Sequence, residues 1–244
     1  TAHNIGTLLA VAPVQKIMGT RNIYTGSTVD QMPHNFVWHH MLGHQFLCTI
    51  PDINRTDYYL MLGTNPKVSN GAQMSTGANT WKKLNAIRER GGKCVLIDPR
   101  RTESVKYMDE HHFIRPHADS MFLIGVIQTI FDRGLARPGR MAGHINGWDE
   151  LEPLVKQFDM DRIAEVTTIP REDIERIAEE FATAKRPVCY GRTGISMVQF
   201  AGLTQWLMQA LNVIVGSMDE IGGMMFPKPA IESLPLTNSS WDSY

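Results

Sequence analysis

What this sequence has little of narrows it first. Three cysteines stand among 244 residues, Cys48, Cys94 and Cys189, and no two share a CxxC spacing. They fit neither a disulfide framework nor a zinc or iron–sulfur site. Cys94 and Cys189 lie inside apolar runs, where a reduced, buried thiol is the ordinary outcome. No stretch reaches the roughly 18 continuous apolar residues of a membrane span. An excess of one charge is missing too. Lys and Arg total 24 against 25 Asp and Glu, a formal net charge of -1, so no field argues for nucleic acid or an anionic membrane. There is no basic start followed by an apolar run and a cleavage site, no internal repeat and no low-complexity tract. No GxGxxG turn follows any strand-like run, which removes the signature of a nicotinamide-dependent dehydrogenase.

What is there is an alternation of short apolar runs with longer amphipathic ones. The length allows one large α/β domain or two small ones, with ample core. Residues 57–63 read as a buried strand halting at Gly63. A helix is expected over 74–90, closed by Gly91-Gly92. Residues 93–98 form the next strand, stopped by Pro99. A short helix is expected next, then an extended return over 111–116. Asp119 reads as the N-cap of an apolar helix over 120–133. Short helices suit 148–158 and 161–165, and a longer one, opened by Pro170, suits 171–184. A third clear strand spans 186–191, and 204–215 suits an amphipathic helix closed by Gly216. Strands separated by such helices imply a doubly wound, mostly parallel sheet with helices on both faces, a Rossmann-like α/β fold. Residues 226–244 lack periodicity and read as a linker or extended tail.

In an open parallel sheet, ligands bind beyond the carboxyl ends of the strands. Three segments with unusual chemistry fall there. The first is Gly63-Thr64-Asn65-Pro66 with Ser69. Its glycine lets a ligand approach the backbone, and its small polar side chains reach phosphate or ribose oxygens; an ordinary strand-to-loop turn would look similar. The second is Asp98-Pro99-Arg100-Arg101-Thr102. A carboxylate there could accept from a ribose or from the paired N–H donors of guanine, with arginines for phosphate, or could simply cap its own loop. The third is Arg115-Pro116-His117-Ala118-Asp119.

The order and spacing of these segments, continued by residues 184–191, Leu211-Asn212, Gly216 and Gly222-Gly223, resemble the central domain of molybdopterin oxidoreductases of the dimethyl sulfoxide reductase family. The resemblance spans roughly residues 21–225 and rests on no single motif. It implies a molybdopterin guanine dinucleotide, with molybdenum or tungsten, bound by a domain over 1–225. Gly63, Thr64, Asn65, Pro66 and Ser69 would line the dinucleotide, with Asp98, Arg100, Arg101, Arg115 and Asp119 toward its nucleotide end. The family's third segment usually reads Arg-Pro-Gly-Thr-Asp, and here His117 and Ala118 replace the glycine and the hydroxyl. The usual metal-ligand position, counted from Asn22, falls on Asp30, whose carboxylate suits an oxidised oxo-metal; Ser27, a tyrosine or no protein ligand are the alternatives. Among His34, His39, His40 and His44, at least one is expected to line the funnel as a proton carrier, with His34 and Asp30 as the catalytic candidates; for any single one, a solvated or core histidine on an amphipathic helix is the alternative. His40 and His44 have a zinc-compatible spacing, but neither an HExxH pattern nor a cysteine accompanies them.

The resemblance further implies an interior piece of a larger redox enzyme acting on a small substrate, inactive by itself. It would work beside N- and C-terminal domains of the same polypeptide, the first bearing any iron–sulfur cluster, and with a possible electron-transfer subunit. A cytoplasmic setting is expected ahead of a periplasmic one. Two other readings stay open: the central domain of a thiamine diphosphate enzyme, which gives no reason for Gly-x-Asn-Pro and Asp-Pro-Arg-Arg-Thr in this order, and a non-catalytic module that has lost its cofactor.

Overall fold

The computed structural model describes residues 5–22, 24, 26–69 and 79–228. Most of the expected tail, and residues 74–78 of the expected helix 74–90, lie outside the described residues. The chain opens on α1 (Ile5–Met18), a one-turn α2 (Ser27–Asp30) and α3 (Met32–Leu42). After β1 (Ile50–Pro51) come β2 (Tyr58–Leu62), the one-turn α4 (Pro66–Ser69), α5 (Thr80–Glu89), β3 (Lys93–Ile97) and β4 (Glu110–His112). Then α6 (Asp119–Asp132), α7 (Trp148–Val155), α8 (Met160–Thr167) and α9 (Arg171–Thr183) lead to β5 (Pro187–Gly191). The described chain finishes with α10 (Thr193–Ser196), α11 (Ala201–Ile214) and β6 (Met224–Met225).

The three clear strands of the sequence do share one sheet. Its order is β4-β3-β2-β5, and every neighbouring pair is parallel. β1 and β6 pair separately and antiparallel. All of β2 and β5 is buried, which a parallel sheet permits only when both faces are covered. Leu60, Leu62, Val95, Ile97 and Cys189 turn to one face, in a core with α6, α9 and α11. Tyr59, Met61, Cys94, Leu96, Val188 and Tyr190 turn to the other, against Leu84 and Ile87 of α5. The free edge of β5 is closed by a side chain. Asn212 of α11 accepts from Cys189 N–H at 2.9 Å and donates to Cys189 C=O at 2.8 Å, so its amide stands in for a neighbouring strand.

Some boundaries differ from expectation. The extended run after residue 111 pairs only through His112, and the helix expected after Pro99 is a 3-10 turn at Val105–Tyr107. Asp119 is not a cap: it is the first residue of α6, Ala118 holds the cap position, and no side chain caps that end. Asp159 does cap α8, accepting from Arg162 N–H at 2.8 Å.

The two ends of the sheet differ in charge pairing. At the strand starts, Lys93 contacts Glu110 at 2.5 Å and Glu180 at 2.6 Å. Arg176 joins Glu110 at 2.9 Å, Tyr58 donates to Glu180 at 3.0 Å, and Arg186 forks onto Asp57. Those partners hold the Glu110 carboxyl down at about 2, against a desolvation penalty that acts the other way. At the strand ends, Arg100 reaches only Glu103, at 3.5 Å. Arg101 and Arg115 are exposed.

Candidate functional site

From β2 the chain steps outward to β3 and β4, then returns to the opposite side of β2 as β5. The strand order therefore reverses between β2 and β5, the place where connections diverge and leave a crevice beyond the strand ends. Gly63, directly after β2, has φ +53°. Its close neighbour is the chain itself rather than an open approach for a ligand. A Cβ at residue 63 would sit 2.7 Å from Gly194 Cα, and one at residue 194 would sit 2.5 Å from Gly63 Cα. Gly194 N–H donates to Gly63 C=O at 2.9 Å, so paired glycines let α10 touch the end of β2. Gly194 escaped the sequence reading, though Gly191-Arg-Thr-Gly194 after a strand was its visible signal.

The first two loops are tied together. Asn65 donates to Glu103 at 2.8 Å and accepts from the Ser104 hydroxyl at 2.7 Å, and Lys67 N–H donates to that same hydroxyl at 3.1 Å. Pro66 opens α4, and Ser69 at its end donates back to Asn65 C=O at 3.2 Å. Thr64 is buried. The buried Asp98 accepts from Arg100 N–H at 2.8 Å, so it does cap its own loop through one oxygen. Burial pushes its carboxyl up, while that hydrogen bond and the nearby His111 pull down. The hydroxyl of Thr102, in the same loop, is buried without a partner.

Asp119 joins this corner from the third loop. Its buried carboxyl is pushed up to about 6, first by desolvation, with the charge of Asp98 acting the same way. Two carboxylates thus lie within electrostatic reach of each other, with Arg100 acting on Asp98, and the same loops carry the exposed Arg101 and Arg115. His117 lies beside Asp119 with φ +72°. Its Nδ1 accepts from Gln199 N–H at 2.9 Å, joining the third loop to the segment between α10 and α11.

His34 and Asp30 sit on the other flank of the reversal. The segment holding Asp30 forms α2 and the start of α3, and α10 packs on both. Asp30 ends α2 and is half-buried. His34 is buried, its ring nitrogens 3.3 Å from Gly191 C=O and 3.2 Å from the Ser196 hydroxyl. Burial, helped by the charge of Arg192, pulls the ring down to about 3. It is therefore neutral near pH 7 and does not suit a proton carrier there. Arg192 donates to Gln31 at 2.8 Å, and Gln205 extends the buried chain to Ser196 at 3.1 Å. His40 lies in α3 and His44 past its Gly43 end. Among the described residues, no three His, Cys, Asp or Glu side chains gather as a metal cage.

No family model matches the chain. Individual proteins do. Over 146 residues, 60% of this chain and 20% of the relative, it is 31% identical to the assimilatory nitrate reductase catalytic subunit of Bacillus subtilis. Over 185 residues, 73% of this chain and 23% of the relative, it is 26% identical to the thiosulfate reductase molybdopterin-containing subunit of Salmonella typhimurium. The chain is a homologue of molybdopterin oxidoreductases. Its fold matches that of acetylene hydratase from Pelobacter acetylenicus with a TM-score of 0.72, at 22% identity, over 87% of this chain and 28% of the other. It spans about a fifth of the length of the curated family relatives it matches.

Within this homologue the structure brings Gly63, Thr64, Asn65, Pro66, Asp98 and Arg100 to one end of the sheet through the bonds among Asn65, Glu103 and Ser104. Asp119 joins them through its proximity to Asp98. Asp30 and His34 stand apart, connected to that corner by α10 and the Gly63–Gly194 contact.

Proposed function

We propose that this chain is the part of a molybdenum or tungsten bis-pterin oxidoreductase that holds a molybdopterin guanine dinucleotide across its strand ends, in a Rossmann-like half-sheet. The observation that carries this is the meeting of three loops at the strand-order reversal, which bring buried carboxylates and exposed guanidinium groups to one end of the sheet. The residues fit the group. Asp98 and Asp119 are acceptors for the N–H donors of a guanine, the unpartnered Thr102 hydroxyl is a spare polar contact, and Arg100, Arg101 and Arg115 suit phosphate oxygens. Thr64, Asn65 and Ser69 would border the dinucleotide, although Asn65 already uses both ends of its amide to join two loops.

When bound, the cofactor would supply two-electron or oxo-transfer chemistry toward a small substrate. The chain's own residues do simpler things. The Asn65–Glu103–Ser104 bonds hold the loops in register. Neutral His34, bonded on both nitrogens, fixes α3 against Gly191 and α10, and so positions Asp30, the proposed protein ligand to the metal. Turnover would need the remaining domains of the same polypeptide, so the 244-residue chain alone is not expected to be active. The test is pterin and guanine nucleotide analysis of the intact protein beside its Asp98→Ala variant. Lower retention of both in the variant supports the site; equal retention, or no pterin in the parent, overturns it.

A further inference from the structure

The third loop departs from the family's pattern at His117, and the structure gives that departure a chemical consequence. His117 holds φ +72°, a left-handed conformation that favours glycine and tolerates few side chains. Its ring is anchored by the 2.9 Å bond in which Nδ1 accepts from Gln199 N–H. A neutral imidazole carries one proton, and a nitrogen accepting a hydrogen bond cannot carry it, so the proton sits on Nε2. Nε2–H is then an oriented donor on an exposed ring, next to the Asp119 carboxyl and, through it, Asp98.

Which ligand oxygen belongs there follows from charge. Beside the ring the Asp119 carboxyl disfavours a phosphate, which suits the arginines instead, whereas a guanine edge offers N1–H and the 2-amino group to a carboxylate and, beside them, the O6 acceptor to a donor. We infer that His117 is a specificity-determining residue for guanine, its Nε2–H reading the O6 oxygen while a neighbouring carboxylate takes the N–H donors. An adenine, with an amino group in place of O6, meets a donor facing a donor and is rejected. The inference rests on the proposed dinucleotide site.

The test compares two probes by titration calorimetry on the 244-residue chain: guanosine diphosphate, and 6-thioguanosine diphosphate, which keeps N1–H and the 2-amino group and replaces O6 by sulfur, a much weaker acceptor. The parent should prefer guanosine diphosphate by about tenfold, the usual scale for one hydrogen bond. His117→Gly suits the φ value and removes the donor, so it should erase that preference. His117→Asn, which tolerates a left-handed backbone and can both accept from Gln199 and donate, should keep it. A preference that survives in His117→Gly, or is absent from the parent, while Asp98→Ala still weakens guanosine diphosphate binding, overturns the role of His117 and leaves the site standing. A parent that binds neither probe, or an Asp98→Ala variant that binds guanosine diphosphate as the parent does, overturns the site and this inference with it.

Discussion

Asp119 and His34 are two buried titratable groups whose environments act on pH stability in opposite directions. An aspartate titrates near 3.9 in an unfolded chain, and Asp119 is pushed up to about 6 in the fold. The folded state therefore holds that proton more tightly. The stability it contributes is present below about pH 4 and lost as pH rises through about 6. Asp119→Asn should thus gain about 1–3 kcal/mol relative to the parent between pH 4 and pH 7.5, read by urea denaturation at the two pH values; a constant difference would contradict the assignment. His34 works the other way. An unfolded histidine protonates below about 6.5, but the buried ring resists protonation down to about 3. Its contribution is complete above pH 6.5 and lost as pH falls toward 3, so His34→Gln should flatten the acid arm of the stability profile. An acid arm as steep as the parent's would show that another group sets it. The burial of His34 was legible, since His34, Val37 and Trp38 follow the i, i+3, i+4 spacing of an inward helix face and are the buried residues of α3. That spacing matches the alternative of a core histidine on an amphipathic helix. Asp98 and Asp119 were legible as polar residues following strand-like runs, whereas the bond from Gln199 to His117 joins residues 82 apart and leaves no local trace.

Elements were read best where they are apolar throughout. β2, β3 and β5 are continuous apolar runs because a central parallel strand is covered on both faces. β4 is only half-buried, so its length and the 3-10 turn before it carried a weaker pattern. The devices that join elements were harder to see. Asn212 sits in an otherwise apolar stretch of α11, and its pairing with both backbone groups of Cys189 gives it a role there. Asn212→Leu would leave two buried backbone groups unpaired and should cost about 2–4 kcal/mol, measured by the shift in denaturation midpoint; a loss under 0.5 kcal/mol would mean the edge of β5 is satisfied otherwise. At the other joint, Gly194→Ala would press a methyl against the backbone of Gly63. We expect about 1–3 kcal/mol of destabilisation together with faster amide exchange at Gly63 and Gly194, because α10 must lift from β2. Unchanged exchange there would mean the loops do not depend on that contact.

At the scale of the molecule, the sheet is fastened at one end and open at the other. The strand starts are closed by the Lys93, Glu110, Arg176 and Glu180 network, while the loops at the strand ends carry exposed guanidinium groups and buried carboxylates. That polarity could not be read from the net charge of -1, because it lies in which charges find partners after folding. The sequence did show which loops follow the strands, and these are the loops of the proposed dinucleotide site. Hydrogen–deuterium exchange of the chain with and without guanosine diphosphate tests this most directly. The account predicts slower exchange in 63–69, 98–104 and 115–119, with the strand starts at 57–59 and 186–188 unaffected. Slower exchange confined to the strand-start end, or to the cavity between α3, α7 and α11, would contradict it.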